Sequence, residues 1–455
     1  MRTLRRSCAA CAKLKHRCDL RTPRCSRCIK RKVLCVYANE PSAPPVATGS
    51  CNGALIGLSN GSSTLDSYRF GSFDPFDSYP PTRLPREQVQ RLIYSFLHKI
   101  AFQYYPLDLS TTSNPFLVSW WPLALGDPAL FHVSLQTACL DEERSAQKGF
   151  QSSEILMADS VSLLRRKIGN TSLAVQDGTI NSVITLATIE FGKGNYETSK
   201  IHIEGVKRLV DLRGGISSVR QTSPLTARMV SWVSLLVMGH PQFETQDDAG
   251  MGDGIPPISE WQIESVATPN NNTNEVIDVN VVVDYEVMNI FIRLRNVFER
   301  TRRVPFTATQ LHDLTCFVVH RLLSSSHEEF DTYSSVTTQC LQYALVIYMF
   351  SVQGPTYYTH AVILDSTIAK FMRNLQRLEN ISQGCGTLTV WFLAVGMIAS
   401  VGTAYYGWFT EAARAMAISL HIEDSTDALV RIKSVLWLGK STDGFYFPLS
   451  LGSPH

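Results

Sequence analysis

The sequence predicts two unlike parts: a small metal-centred amino-terminal domain with two short helices and, past an irregular linker, a large all-α body. Three observations predict it. Cys8, Cys11 and Cys18, then Cys25, Cys28 and Cys35, repeat one C-x2-C-x6-C spacing. Around them Arg2, Arg5, Arg6, Lys13, Lys15, Arg17, Arg21, Arg24, Arg27, Lys30, Arg31 and Lys32 stand against one acid, Asp19. From residue 86 onward apolar residues recur at i, i+3, i+4 and i+7 in segment after segment.

Zinc takes four thiolates in a tetrahedron, so two ions need eight ligand positions, and six sulfurs fill eight when two of them bridge. The count predicts a binuclear cluster holding two Zn²⁺. Two other readings use the sulfurs differently. A single zinc on Cys8, Cys11, Cys25 and Cys28 leaves Cys18 and Cys35 idle at the same offset after each pair. A disulfide framework needs an oxidising compartment, yet Met1 leads straight into Arg2, Thr3, Leu4, Arg5 and Arg6, with no secretory leader. His16 reads as a surface or phosphate-contacting side chain.

Two zinc ions on six thiolates contribute a charge of minus two, so residues 1–37 keep about plus nine when metal-loaded. Nucleic acid is the matching partner for such a block. Removing its twelve bases and one acid from the chain's 42 Lys plus Arg and 40 Asp plus Glu leaves 30 against 39. The near-neutral total therefore joins a basic domain to an acidic one.

The cysteine spacing resembles the fungal Zn(2)-Cys(6) binuclear cluster family over residues 8–35, and Pro23 stands in the loop of residues 19–24 where that family turns between its two halves. The resemblance implies Cys8 and Cys25 as bridging ligands, with Cys11 and Cys18 completing one zinc and Cys28 and Cys35 the other. Each C-x2-C pair is expected to lead into a short helix, residues 12–17 and 29–34. The resemblance further implies that the first helix enters the major groove of double-stranded DNA and that Lys15, three residues before the third cysteine, contacts the guanines of a CGG triplet. Lys13, Arg17, Arg24, Lys30 and Arg31 are then expected on phosphates. Many members read R-x-R-K-x-K between the second and third cysteines. Here Ala12 and Leu14 interrupt the run, which retains the lysine reader and loses basic positions.

Residues 38–85 are rich in Pro, Gly, Ser and Asn and read as a disordered linker. No sustained apolar a and d repeat follows the cluster, so a homodimer, if formed, lacks an evident coiled coil. Asp66, Tyr68, Phe70, Phe73, Asp74, Phe76, Asp77 and Tyr79 interleave acids with aromatics, which suits an activation segment or one that docks on the next domain. Residues 86–455 read as one helical body, opened by Val89, Leu92, Ile93, Phe96, Leu97 and Ile100. Asp127 with Pro128 and Ser223 with Pro224 are further helix starts, and Gly214 with Gly215 is a stop. The body resembles the fungal-specific transcription factor regulatory domain. His202, Gly205 and the run Leu212, Arg213, Gly214 and Gly215 are similar to an H-x2-G helix ending in R-G-G that recurs in one branch of it. Residues 241–283 read as a polar insertion.

Thr387 to Phe409 is 23 residues without a charge, long enough to cross a bilayer, but no Lys or Arg cluster flanks it. A buried helix is the expectation, and a membrane is not an expected partner. No G-x-S-x-G, H-E-x-x-H, phosphate-binding or dinucleotide fingerprint is present, and Cys139, Cys316 and Cys340 lie in apolar helical stretches as core thiols. The expected function is a nuclear, zinc-dependent, sequence-specific regulator of RNA polymerase II transcription, not an enzyme, acting as an activator on the transcription machinery. By analogy it is a pathway-specific regulator of a secondary-metabolite gene cluster. The alternative is a helical ligand-sensing or scaffold protein that the zinc domain only localises to chromatin.

Overall fold

The computed structural model describes residues 9–16, 18, 26–33, 79–103, 107, 110, 112–147, 149–263, 283–302, 304–324, 335–354, 360–379 and 386–438. The chain divides into two compact units, Met1–Ser63 and Thr64–His455. In the first, α1 (Ala9–Lys13) packs on α2 (Ser26–Arg31). Most of the acid and aromatic segment lies outside the described residues. Its last member, Tyr79, stacks on Phe131 with ring centroids 5.7 Å apart, and Leu84 joins the core of the second unit.

The second unit is helical, with no strand among the described residues beyond an isolated bridge between Thr245 and Ile255. It runs α3 (Arg86–His98), α4 (Trp121–Gly126), α5 (Pro128–Ser145), α6 (Gln151–Ile168), α7 (Thr171–Ala174), α8 (Asp177–Gly192), α9 (Tyr196–Leu212), α10 (Gly215–Thr222) and α11 (Pro224–Met238). It continues through α12 (Ser259–Gln262), α13 (Tyr285–Thr301), α14 (Ala308–Ser324), α15 (Val336–Gln353), α16 (Ala361–Glu379), α17 (Gly386–Ala399), α18 (Tyr406–Ser419) and α19 (Ser425–Val435).

Helices that are buried on nearly every side and have little amphipathicity are central. α8, α11, α15 and α17 are of this kind, and packing links α5 to α8, α8 to α11, α11 to α14, α14 to α15 and α15 to α17. Amphipathic neighbours then cover this row, α9 on α8 and α16 on α15. The start of α5 follows its sequence signal: Asp127 accepts from the Ala129 and Leu130 amides, with Pro128 in the first turn. α11 does begin at Pro224, but Ser223 makes no side-chain cap. Its hydroxyl donates instead to Asp177 Oδ2.

The uncharged run from Thr387 to Phe409 splits between two helices. α17 has 14 residues, roughly 21 Å at 1.5 Å per residue, well short of the hydrocarbon thickness. The chain then turns, and α18 packs back on α17. No described helix is long and apolar enough to cross a membrane. Gly396 permits this crossing, because a Cβ there would overlap the Phe409 ring, which itself stacks on Phe371. Gly396→Ala is expected to destabilise the body by about 1–3 kcal/mol through overpacking. Denaturant unfolding checks it, and an unchanged midpoint would mean that the two helices part without cost.

Two carboxylates, Asp313 buried and Asp248 half-buried, tie distant segments. Asp313 on α14 accepts a fork from Arg228 on α11, both bonds 2.8 Å, and a third bond of 2.9 Å from Arg220 on α10. Burial raises its pKa, but these two cations outweigh that and hold the carboxyl below the usual range. Asp248 does the same for the polar segment after α11. It accepts from Trp261 Nε1 at 2.9 Å and Asn289 Nδ2 at 2.9 Å, and pairs with Arg293 and Arg321. Residues 241–263 are therefore pinned to α13 and α14 with Trp261 fully buried, despite their loop-like composition. Residues 264–282 lie outside the described residues.

Candidate metal centre and nucleic-acid interface

The two helices of the first unit start earlier than expected, ahead of the second cysteine of each pair, and finish sooner. Ala9, Ala10 and Ala12 favour helix around Cys11. The early finish is what shared ligation of one zinc by Cys11 and Cys18 would require. An uninterrupted helix would place Cys18 seven residues and roughly 10.5 Å along the axis from Cys11, whereas two sulfurs on one zinc stand within about 4.6 Å. The chain must reverse between them.

It reverses by the same device twice. After α1, the His16 amide donates to Cys11 O at 2.9 Å and the Lys15 amide to Ala12 O at 3.2 Å, with Lys15 at φ 50°. After α2, the Val33 amide donates to Cys28 O at 3.1 Å and the Lys32 amide to Ile29 O at 3.2 Å, with Lys32 at φ 54°. This pairing of bonds around a left-handed residue is the Schellman motif, in which glycine is usual. Lysine takes that place in both halves, seventeen residues apart, the offset that also relates Cys11 to Cys28. Overlaying the two triplets would have shown Lys32 as the counterpart of Lys15. Reading each triplet singly missed it.

Cys11 and Cys28 are each 2% exposed, and Ala10 and Cys18 pack against them. Three of the six predicted ligands thus converge where the helices meet. Cys8, Cys25 and Cys35 lie outside the described residues, as do Arg17 and Arg24. Among the described residues no three side chains form a complete metal-binding group. The donors nonetheless fit zinc. They are all thiols, Cys11 and Cys28 buried and Cys18 half-buried, and among the described residues of the unit the large aliphatic side chains Leu14, Ile29 and Val33 are 52%, 59% and 42% exposed. A domain that turns its aliphatic side chains to water needs metal in place of hydrophobic burial.

Lys13, Lys15, Lys30 and Arg31 are all exposed, with Lys13, Lys30 and Arg31 in the last turns of their helices, where cations oppose the helix dipole. A metal-held scaffold rimmed by cations suits a polyanion.

Residues 6–44 match the fungal Zn(2)-Cys(6) binuclear cluster domain, and residues 91–240 match the fungal specific transcription factor domain. The first defines a zinc-binding, DNA-binding domain containing all six cysteines. The domain arrangement is that of the fungal Zn(2)-Cys(6) transcription factors, the family that the cysteine spacing resembles, and the chain is a DNA-binding transcription factor. No curated protein and no solved structure matches the chain.

The H-x2-G and R-G-G residues fall inside the second match, and Arg213, Gly214 and Gly215 have a structural task. Arg213 pairs with Asp177 and donates to Val175 O at 3.4 Å, Thr222 Oγ1 at 2.6 Å and Ser223 Oγ at 3.2 Å. One guanidinium thus knots the ends of α8, α9, α10 and α11. Gly214 and Gly215, at φ 97° and 88°, supply the left-handed turn that releases it from α9. His202 is half-buried, and burial lowers its pKa against the opposing pull of Glu190.

Neither matched domain is enzymatic, and the Cys–His pair in the body does not suggest otherwise. Cys316 Sγ lies 3.7 Å from His320 Nδ1. Burial pushes the thiol up to about 12 and the imidazole down to about 4. Both are neutral near pH 7, the reverse of an activated thiolate beside an imidazolium.

Proposed function

We propose that the protein is a nuclear regulator of RNA polymerase II transcription that reads CGG-type triplets through Lys15. The observation that carries this reading is the left-handed cap: it ends α1 at Lys13, two residues past buried Cys11, and leaves the Lys15 side chain exposed to solvent. A lysine on guanine O6 and N7 is among the commonest specific contacts. Lys13, Arg17, Arg24, Lys30 and Arg31 hold phosphates and fix register. Cys8, Cys11, Cys18, Cys25, Cys28 and Cys35 would hold two zinc ions, and the metal would keep both halves in place. The acidic and aromatic stretch ahead of the body supports an activator that recruits the transcription machinery. The lack of a coiled-coil repeat supports a monomer or a dimer made by other surfaces, and by analogy the target is a secondary-metabolite gene cluster.

Two substitutions separate side chain from backbone. Lys15→Ala removes the amine at a left-handed position, while Lys15→Gly removes it and relieves the backbone. Both are expected to lose about 1–3 kcal/mol of preference for CGG over scrambled duplex, with zinc content unchanged. Lys13→Ala is expected to weaken all duplexes alike and reduce the salt slope by about one. Fluorescence anisotropy on the whole protein at two salt concentrations reads all three. Undiminished CGG preference in both Lys15 variants would remove Lys15 as the reader.

A further inference from the structure

Where α17, α18 and α19 meet, they line a partly open cavity of about 240 Å³. Its walls come from one stripe of each helix: Val390, Ala394 and Met397 of α17, Ala413 and Ala417 of α18, Ala428 and Ile432 of α19. Facing stripes of a helical core normally interdigitate large side chains with small ones, so that little space is left. Here each of the three helices contributes at least one alanine to the lining. The apolar walls give water few partners, so the site suits an organic molecule better than solvent.

The polar groups of the cavity sit on one helix. Tyr406, Thr410 and Arg414 follow one another at spacings of four along α18, and all three line the cavity, Arg414 from an exposed position. The Thr410 hydroxyl is already committed, donating to Tyr406 O at 2.8 Å. Among the described residues neither the Tyr406 hydroxyl nor the Arg414 guanidinium has a hydrogen-bond or ion-pair partner. No acid lines the cavity. Apolar walls with a guanidinium and a phenol at one side complement a molecule with an apolar body and a carboxylate head.

We infer that this corner of the body binds a compact apolar carboxylic acid, its carboxylate on Arg414 and Tyr406 and its hydrocarbon among the alanines. The site is separate from the DNA-binding unit, so DNA affinity measured alongside reports that reading independently. The test is titration calorimetry of the whole zinc-loaded protein with 1-naphthoate and with its neutral relative 1-naphthamide. The acid is expected to bind saturably and the amide about tenfold more weakly. Arg414→Gln should weaken the acid about tenfold without changing the amide. Ala413→Leu, which fills the cavity, should abolish binding of both. Arg414 is exposed, so its variant keeps the test valid if the filled one misfolds. Absence of saturable heat up to about 1 mM acid, equal binding of acid and amide, or indifference to Arg414→Gln would overturn the assignment.

Discussion

Removing zinc from the protein is expected to unfold the amino-terminal unit and abolish DNA binding while the helical body stays folded. The two helices there have five and six residues, far below the dozen or so needed for a helix to persist alone in water. Their aliphatic side chains face solvent, and the buried side chains among the described residues are Cys11 and Cys28. Structural zinc contributes about 10–16 kcal/mol of apparent binding energy in small zinc domains, which is folding energy when no site exists in the unfolded chain. Cys11→Ser or Cys28→Ser should act as the chelator does, since either leaves its zinc short of a ligand. Anisotropy with a CGG duplex, before and after chelation and after zinc is returned, checks the first claim. Calorimetric unfolding of the body checks the second. DNA binding that survives full loss of zinc would mean that the scaffold is held by something else.

The second large effect is loss of stability in mild acid. His312 and His320 are fully buried on α14, and burial pushes both imidazoles from the ordinary 6.5 down to about 4. Around His312, Asp313 works against that shift while Arg228, Arg220 and His320 reinforce it. Above pH 6.5 each histidine is neutral whether the chain is folded or not, and neither affects stability. As pH falls from 6.5 toward 4 the unfolded chain takes up protons that the folded one refuses. Stability then drops by about 3 kcal/mol for each histidine and levels off below pH 4 as far as these two are concerned. His132, His202 and His360 are shifted in the same direction and add to the trend. Asp248 and Asp313 do not account for this window, because both are held below 3.8 and lose their contribution only in stronger acid. Denaturant midpoints between pH 7 and 4 measure the slope, and a His312→Phe, His320→Gln double variant should flatten it. A slope equally steep in that variant would place the acid sensitivity elsewhere.

Much of the architecture is legible in the sequence because its causes are local. Helical recurrence of apolar side chains reports burial of one helix face, and Asp127 with Pro128 starts α5 by contacts within three residues. The thiol spacing is legible for the same reason, since zinc dictates ligand type and number over 28 residues of chain. Features made by distant partners are not. Nothing local marks Asp248 as the anchor of a loop-like segment, since Asn289, Arg293 and Arg321 lie 41 to 73 residues further on. Ser223 looks like a cap, and Asp177 and Arg213 engage its hydroxyl instead. The extent of α1 and α2 depends on where the sulfurs must meet, which helix propensity alone does not express. The cavity between α17, α18 and α19 is likewise invisible in sequence, because each of its alanines is unremarkable in its own helix.

The contacts of α11 bear on where this protein can be cut. The recognisable regulatory stretch stops at residue 240, just past α11, but α11 does not stop there as a physical object. Trp232 lies edge-on to His312 at 5.1 Å and against Phe350 at 5.7 Å, and Arg220 and Arg228 share the carboxylate of Asp313. A fragment severed at 240 would turn an indole to water and strand two guanidinium groups without their counter-ion. The line drawn by family likeness and the line of autonomous folding are therefore different. Transplanting the first without the second would carry half of a shared interior into solvent.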